Sequence, residues 1–269
     1  MYSETTDHVL VLRTCAADMT GHGGFIWPAS GPVEAPDWDP EPRCGAGLHG
    51  LLWGEGDGSL LSRSPDAKWL AVRVKARTIV DLGGKVKFPR GEVVCCGERD
   101  EVTRYLLAHG AHGRAVAGGT ATAGDRGTAT AGYLGTATAG YLGTATAGDR
   151  GTATAGDRGT ATAGDLGTAT AGYLGTATAG DRGTATAGDR GTATAGYLGT
   201  ATAGCRGTAT AGKGGVIVLR WWDDAASRWR VAVGETRVDQ HALGLLAPNV
   251  PHHVVDGRIV PKEAVTCTA

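Results

Sequence analysis

Threonine hydroxyls are the densest array of hydrogen-bonding side chains in this 269-residue chain. From Gly119 to Gly214 the sequence runs Gly-Thr-Ala-Thr-Ala-Gly plus a variable dipeptide, twelve times over, without an insertion or deletion. Thr-Ala-Thr-Ala alternates strictly. In an extended strand residues i and i+2 share a face, so both Thr point one way and both Ala the other. Two hydroxyl-bearing groups then lie ~6.7 Å apart along each strand, and stacked strands repeat them every ~4.8 Å. Such a lattice suits ordered hydrogen bonding to water or to a regular surface. The rows singled out are Thr120, Thr122, Thr136, Thr138, Thr152, Thr154, Thr168, Thr170, Thr184, Thr186, Thr200 and Thr202.

The rest of the chain is poor in catalytic patterns. His22, His49, Asp81 and Glu92 have no spacing that makes them a constellation. Cys44-Gly-Ala-Gly-Leu-His49 could offer a thiolate and an imidazole to zinc, with Cys15 and His22 elsewhere, but no CxxC pair accompanies them. Gly54-Glu55-Gly56-Asp57-Gly58 lacks the Lys-Ser/Thr of a phosphate loop. The pattern therefore calls for no catalytic residue, no metal and no cofactor. The six cysteines do not form a spaced framework, which favours a reduced compartment. Cys95 and Cys96 read as strand thiols, and Cys205 as a chance replacement at a corner.

One octapeptide buries almost nothing, so the repeats must stack. Two Gly in every eight residues disfavour a helix, and period-2 alternation favours strand. Sixteen residues give two short strands and two corners. The second dipeptide residue then forms two columns: Arg126, Leu142, Arg158, Leu174, Arg190, Arg206, and Leu134, Arg150, Leu166, Arg182, Leu198, Gly214. Arg and Leu alternate down both until the last coil, which keeps like charges from stacking. Three repeats per coil would place Arg126 on Arg150. Duplication of a 32-residue unit would give the same pattern. The flanking Gly permit positive φ and sharp corners. Gly113-Arg114-Ala115-Val116-Ala117-Gly118 looks like a degenerate first copy, with Arg114 in a Thr position. Arg is rarely buried unpaired, so the Thr face is expected outside and the Ala face inside. Gly215-Val216-Ile217-Val218-Leu219 continues the frame with Ile217 and Leu219 in the inward positions.

The expected fold is mainly β: a β-solenoid of about six two-strand coils over residues 113–214, a small α+β N-terminal domain over 1–112, and a β-rich C-terminal cap over 215–269. In the first segment Val9–Leu12, Trp69–Val74, Lys85–Phe88 (half-buried) and Gly91–Cys96 read as strands, and Leu48–Trp53 as a short helix or turn. Glu98–His109 reads as a helix stopped by Gly110. In the last, Val216–Trp222 pairs with Trp229–Val233, and Asp256-Gly257 marks a tight hairpin. Large side chains there would seal the solenoid end. Trp221, Trp222 and Trp229 also admit a carbohydrate-binding reading.

Ala131-Gly132-Tyr133-Leu134-Gly135-Thr136-Ala137-Thr138 resembles the Ala-Gly-Tyr-x-x-Thr-x-Thr octapeptide of bacterial ice-nucleation proteins, and the match recurs at Tyr141, Tyr173 and Tyr197. The resemblance covers about a third of the chain. It implies a β-solenoid with two octapeptides per coil and Thr-x-Thr rows that order water. There are departures: Gly stands where that family has Ser before the first Thr, Arg or Leu follows the Tyr or Asp, and Tyr alternates with Asp so that no continuous Tyr ladder forms. The flanking segments look unlike that family's and more like small domains found around octapeptide repeats in bacterial proteins of unassigned function.

The net charge of -1 gives no bulk attraction to nucleic acid or anionic membrane. No apolar run reaches the ~18 residues of a membrane span, and the start lacks a signal peptide, so a cytoplasmic location is expected, with surface association left open. Three readings of function follow. One is a non-enzymatic repeat protein whose Thr rows meet ice or ordered water. Another is a scaffold or self-associating spacer. The third is an enzyme in the N-terminal segment, which would need a pocket with converging polar groups.

Overall fold

The computed structural model describes residues 7–236, 246–255 and 257–262. The chain divides into two compact units: one runs to Thr120 and includes Ala131–Gly135, and the other takes Ala121–Thr130 and continues from Thr136.

The first unit is built on an antiparallel sheet. Its strands are β1 (His8–Cys15), β2 (Gly31–Glu34), β3 (Leu48–Leu52), β4 (Lys68–Lys75), β5 (Val80–Asp81), β6 (Val86–Phe88) and β7 (Arg90–Gly97), in the order β2-β7-β4-β1-β3-β6-β5. β1 and β4 pair over eight residues, from His8↔Lys75 to Cys15↔Lys68. They are covered on both faces. Val11, Leu70, Val72, Val74 and Phe88 pack on one side. Leu10, Leu12, Leu51, Trp69 and Ala71 pack on the other, beneath Val102 and Leu106 of α1 (Arg99–Leu106). The α+β reading of this segment therefore describes it.

Three local expectations are corrected. Leu48–Leu52 is a strand, because it finds β1 on one side and β6 on the other. A short apolar run does not reveal its partner by periodicity. Gly50 permits that close approach, since a Cβ there would lie 2.5 Å from the Leu12 carbonyl oxygen. Lys85–Phe88 is not half-buried: Val86, Lys87 and Phe88 are all buried, and the Lys87 ammonium donates to the Arg43 carbonyl at 3.0 Å. The helix after Glu98 is shorter than expected. It widens into a turn over Leu107–Ala111, where Gly110 takes φ +118° against the Trp53 ring.

In the second unit each octapeptide contributes one four-residue strand, from β8 (Thr120–Ala123) and β9 (Thr128–Ala131) at eight-residue intervals to β19 (Thr208–Ala211). Even-numbered strands form one parallel sheet and odd-numbered strands another. Register advances by sixteen residues, as in Thr136↔Thr152 and Thr144↔Thr160. Two octapeptides therefore make one coil, and about six coils make the solenoid. The Ala positions of both sheets are buried, with Ala137, Ala153, Ala169 and Ala185 at zero exposure.

At the corners the left-handed residue is not the expected glycine. Within Gly119–Gly212 no glycine has positive φ; the second dipeptide residue does, from Arg126 to Arg206, at φ +54° to +57°. The turn closes by a hydrogen bond such as Gly159 N–H to Gly156 O at 3.0 Å. A positive φ at the third turn residue normally selects Gly, and Arg or Leu there is strained by roughly 1 kcal/mol. The glycines serve close packing instead. A Cβ on Gly156 would sit 2.8 Å from the Gly140 carbonyl carbon of the previous coil, and one on Gly159 would sit 2.8 Å from the Ala155 methyl.

β20 (Val216–Asp223) continues the even sheet, with Ala201↔Ile217 and Ala203↔Leu219 in register. Ile217 and Leu219 are buried and close the core. β21 (Arg228–Glu235) pairs with β20 as an antiparallel hairpin, and β22 (His252–Val255) pairs with β23 (Arg258–Pro261) and with β19. Asp256, half of the hairpin signal, lies outside the described residues, as does Cys267. Buried Thr236 plugs the last corner: its hydroxyl donates to Gly212 O at 2.5 Å and accepts from Gly215 N–H at 3.0 Å. Two of the three tryptophans of this segment take no part in the sealing. Trp222 and Trp229 remain exposed, meet edge-to-face at 5.2 Å, and carry the Arg220 guanidinium at 4.0 Å from the Trp229 ring. No helix among the described residues is long and apolar enough to cross a membrane.

Candidate functional site: the threonine faces of the solenoid

All twelve threonines singled out in the sequence lie on the even sheet. Its pairing aligns Thr136, Thr152, Thr168, Thr184 and Thr200 in one row and Thr138, Thr154, Thr170, Thr186 and Thr202 in a second. Thr120 and Thr122 stand on β8, the last strand of that sheet. From Thr120 to Thr184 the first threonine of each strand is exposed; the second is half-buried in β12, β14, β16 and β18. The face is thus a parallel array of hydroxyls and methyls, held at strand spacing by the ladder beneath it.

The odd sheet carries a second array of the same kind. Thr144, Thr160, Thr176 and Thr192 align in register and are exposed, with Thr146, Thr162, Thr178 and Thr194 beside them. This face was missed, although its signal was present: alternate octapeptides are identical in their Thr-Ala-Thr-Ala core. It ends at Thr208, which is buried and receives the Lys262 ammonium at 3.2 Å.

Between the faces run corners of mixed character. Tyr141, Leu142, Tyr173 and Leu174 are exposed on one and Leu166, Tyr197 and Leu198 on the other. Aspartates staple successive coils. Each of the six repeat aspartates accepts the backbone N–H of the residue sixteen positions on, at 2.8–3.0 Å. The corner arginines enter no ion pair among the described residues.

The other candidates of the sequence lie in the first unit. Glu92 pairs with Arg73, and Asp81 accepts the Gly83 N–H. Glu55 of the Gly-rich loop binds Arg114, and Asp57 caps Ser59, so that loop is structural. Cys15 is buried; burial pushes its thiol up, as it does for Cys95 and Cys96. Cys44 is exposed beside Lys85, whose ammonium lies 3.0 Å from Sγ and pulls that thiol down. Among the described residues no three of His, Cys, Asp and Glu gather as a metal site.

Parallel in-register sheets, sixteen residues to the coil and an alanine core define an octapeptide-repeat β-solenoid. The chain is similar to the bacterial ice nucleation proteins. It is 47% identical over 109 residues to an ice nucleation protein of Pseudomonas syringae, which is 40% of this chain and 10% of that one. It is 44% identical over 107 residues to ice nucleation protein InaU of Pantoea ananas, 39% and 10% of the two chains. It is 42% identical over 105 residues to an ice nucleation protein of Xanthomonas campestris pv. translucens, 38% and 7%. The chain thus spans about a tenth of the length of these curated relatives. Residues 9–104 match a separate family model, the domain of unknown function DUF7666. No solved structure matches the chain.

Proposed function

We propose that the solenoid is a non-enzymatic surface for ice or ordered water, acting through its outward threonine rows. The observation that carries this reading is the in-register stacking of exposed threonines at fixed spacing on a backbone lattice. Rigidity matters here, because groups already held in place lose little freedom on binding. The relatives are named for ice nucleation, and the likeness to them adds support. About six coils at ~4.8 Å make a face ~29 Å long, adequate for adhering to ice and short for nucleating it. The direct test is retention of the full chain in slowly grown ice. Enrichment above an inert control protein supports the reading, and exclusion to the level of that control overturns it.

The alternative is a structural spacer or self-associating scaffold. It draws on the regularity of the coils and on the exposed Tyr and Leu corners. Under that reading the threonines serve strand propensity and solubility, the chain leaves ice growth unchanged, and removal of whole coils alters spacing alone.

A further inference from the structure

Cys44 and Lys85 stand 41 residues apart in sequence and meet in the first unit, where the Lys85 ammonium donates to Cys44 Sγ at 3.0 Å. We propose that this pair is an oxidative modification site, which hydrogen peroxide converts into a covalent sulfur–nitrogen crosslink between the two side chains.

The fold sets the contact. Cys44 lies shortly before β3 and Lys85 just before β6, two strands that pair from Leu48↔Phe88 to Gly50↔Val86. The carbonyl of neighbouring Arg43 accepts from buried Lys87 at 3.0 Å, so two successive loop residues are tied to two lysines of one chain segment. The Leu82 N–H closes a turn on the Lys85 carbonyl at 2.9 Å.

Cys44 differs from the other described cysteines. It is exposed, whereas Cys15 is buried and Cys95, Cys96 and Cys205 are half-buried. Among the described residues it alone has an amine in hydrogen-bond contact with its sulfur. A cation beside a thiol favours the thiolate, and the thiolate is the form that attacks peroxide. The Lys85 hydrogen bond holds the Cys44 thiol below its ordinary range, while burial holds Cys15, Cys95 and Cys96 above it.

One peroxide balances the reaction. The thiolate attacks a peroxide oxygen, the O–O bond breaks, and the leaving hydroxide takes a proton from the Lys85 ammonium. The products are a Cys44 sulfenic acid, one water and a neutral Lys85 amine beside the sulfur. Sulfenic acids condense with nearby nitrogen nucleophiles. The amine attacks sulfur, the S–O bond breaks, and hydroxide leaves with an amine proton as a second water. Sulfur has lost the two electrons that the peroxide has gained, and the joined side chains are two hydrogens lighter than the free thiol and amine. The bond closes a long loop, and such a restraint on the unfolded chain raises stability.

This inference is independent of the solenoid. Its test is peptide mapping by mass spectrometry of the full chain after brief treatment with hydrogen peroxide and blocking of the remaining thiols. The peptides holding Cys44 and Lys85 should appear joined, about 2 Da below the sum of the separate peptides. Dithiothreitol should part them, and the joined chain should melt at a higher temperature than the reduced one. Lys85→Arg keeps a cation beside the sulfur but has no amine to close the bond. It should give no joined peptides and at least about fivefold more Cys44 sulfenic acid trapped by dimedone. Lys68→Arg should join as wild type does. A Cys44 that peroxide leaves untouched or oxidises without joining would overturn the proposal. So would equal joining in the denatured chain or a joined Cys44 peptide in Lys85→Arg. The wild-type map decides the matter even if Lys85→Arg does not fold.

Discussion

The Asp157 carboxylate accepts the backbone N–H of Tyr173, one coil further on, at 2.9 Å. Six aspartates repeat this bond at the corners, so the variable dipeptide helps to hold the coils together. Asp157→Ala should lower stability by about 1 kcal/mol, the net worth of a single hydrogen bond, whereas Asp157→Asn, which keeps an acceptor, should lose less. Thermal melts followed by circular dichroism would check the order. Equal melting of all three proteins would show that the corner bonds contribute nothing.

Arg158 holds φ at +56°. Glycine adopts this conformation freely, and a β-branched residue does so at a cost. Arg158→Gly should keep or raise the melting temperature, by at most about 1 kcal/mol once its extra freedom in the unfolded chain is counted. Arg158→Val should cost more than about 1 kcal/mol. If the glycine variant proves less stable than wild type, the Arg158 side chain contributes more to the corner than the backbone strain removes.

The corner that holds Asp157 and Arg158 was only partly legible in the sequence. The strand alternation, the sixteen-residue coil and the inward alanines were legible because a fixed period leaves few alternatives; Arg114, read as part of a degenerate first copy, instead lies outside any strand in the first unit and pairs with Glu55. The glycines were assigned to the wrong task. Contacts with the next coil, invisible in a single repeat, require them, while the left-handed residue falls on Arg or Leu. In the first unit β3 was misread because its strand character comes from two distant partners. The buried Lys87 was missed because the Arg43 carbonyl that receives it is remote in sequence. The Thr rows were seen on one sheet only.

Ile217 and Leu219 replace alanines at the solenoid end. Leu219→Ala should cost about 2–5 kcal/mol as a buried large-to-small change. Removal of residues 215–269 should leave an open strand edge and give oligomeric or insoluble protein. A soluble monomeric truncation with an unchanged β-sheet spectrum would contradict the capping role.

Removal of residues 151–166 takes out one whole coil and keeps both sheets in register, so it should be tolerated. Removal of 151–158 alone would send β20 to the odd sheet and exchange the corner columns below the cut. The shorter deletion should therefore be the more damaging in thermal melts. Equal melting of the two would count against two octapeptides per coil.

His252 is fully buried against β19. Burial, helped by His253, pushes its pKa below the ordinary 6.5. The unfolded chain therefore takes up this proton first as pH falls. Stability should be flat above about pH 6.5, decline below it, and level off only below the depressed folded value. His252→Phe should remove that part of the decline, measured as the difference between the two denaturation curves at each pH. An identical acid-side decline in the variant would place the titration elsewhere.

Whether the threonine faces meet ice is read from the growth rate of single ice crystals at equal folded concentration. Thr152→Lys with Thr168→Lys interrupts the even face, and Thr160→Lys with Thr176→Lys the odd face; exposed sites of this kind cost little stability. Wild type should slow and reshape growth, either pair should weaken the effect, and all four together should remove it. A fourfold variant as active as wild type would contradict the claim for these faces, and a wild type without effect on ice would leave the solenoid as a spacer.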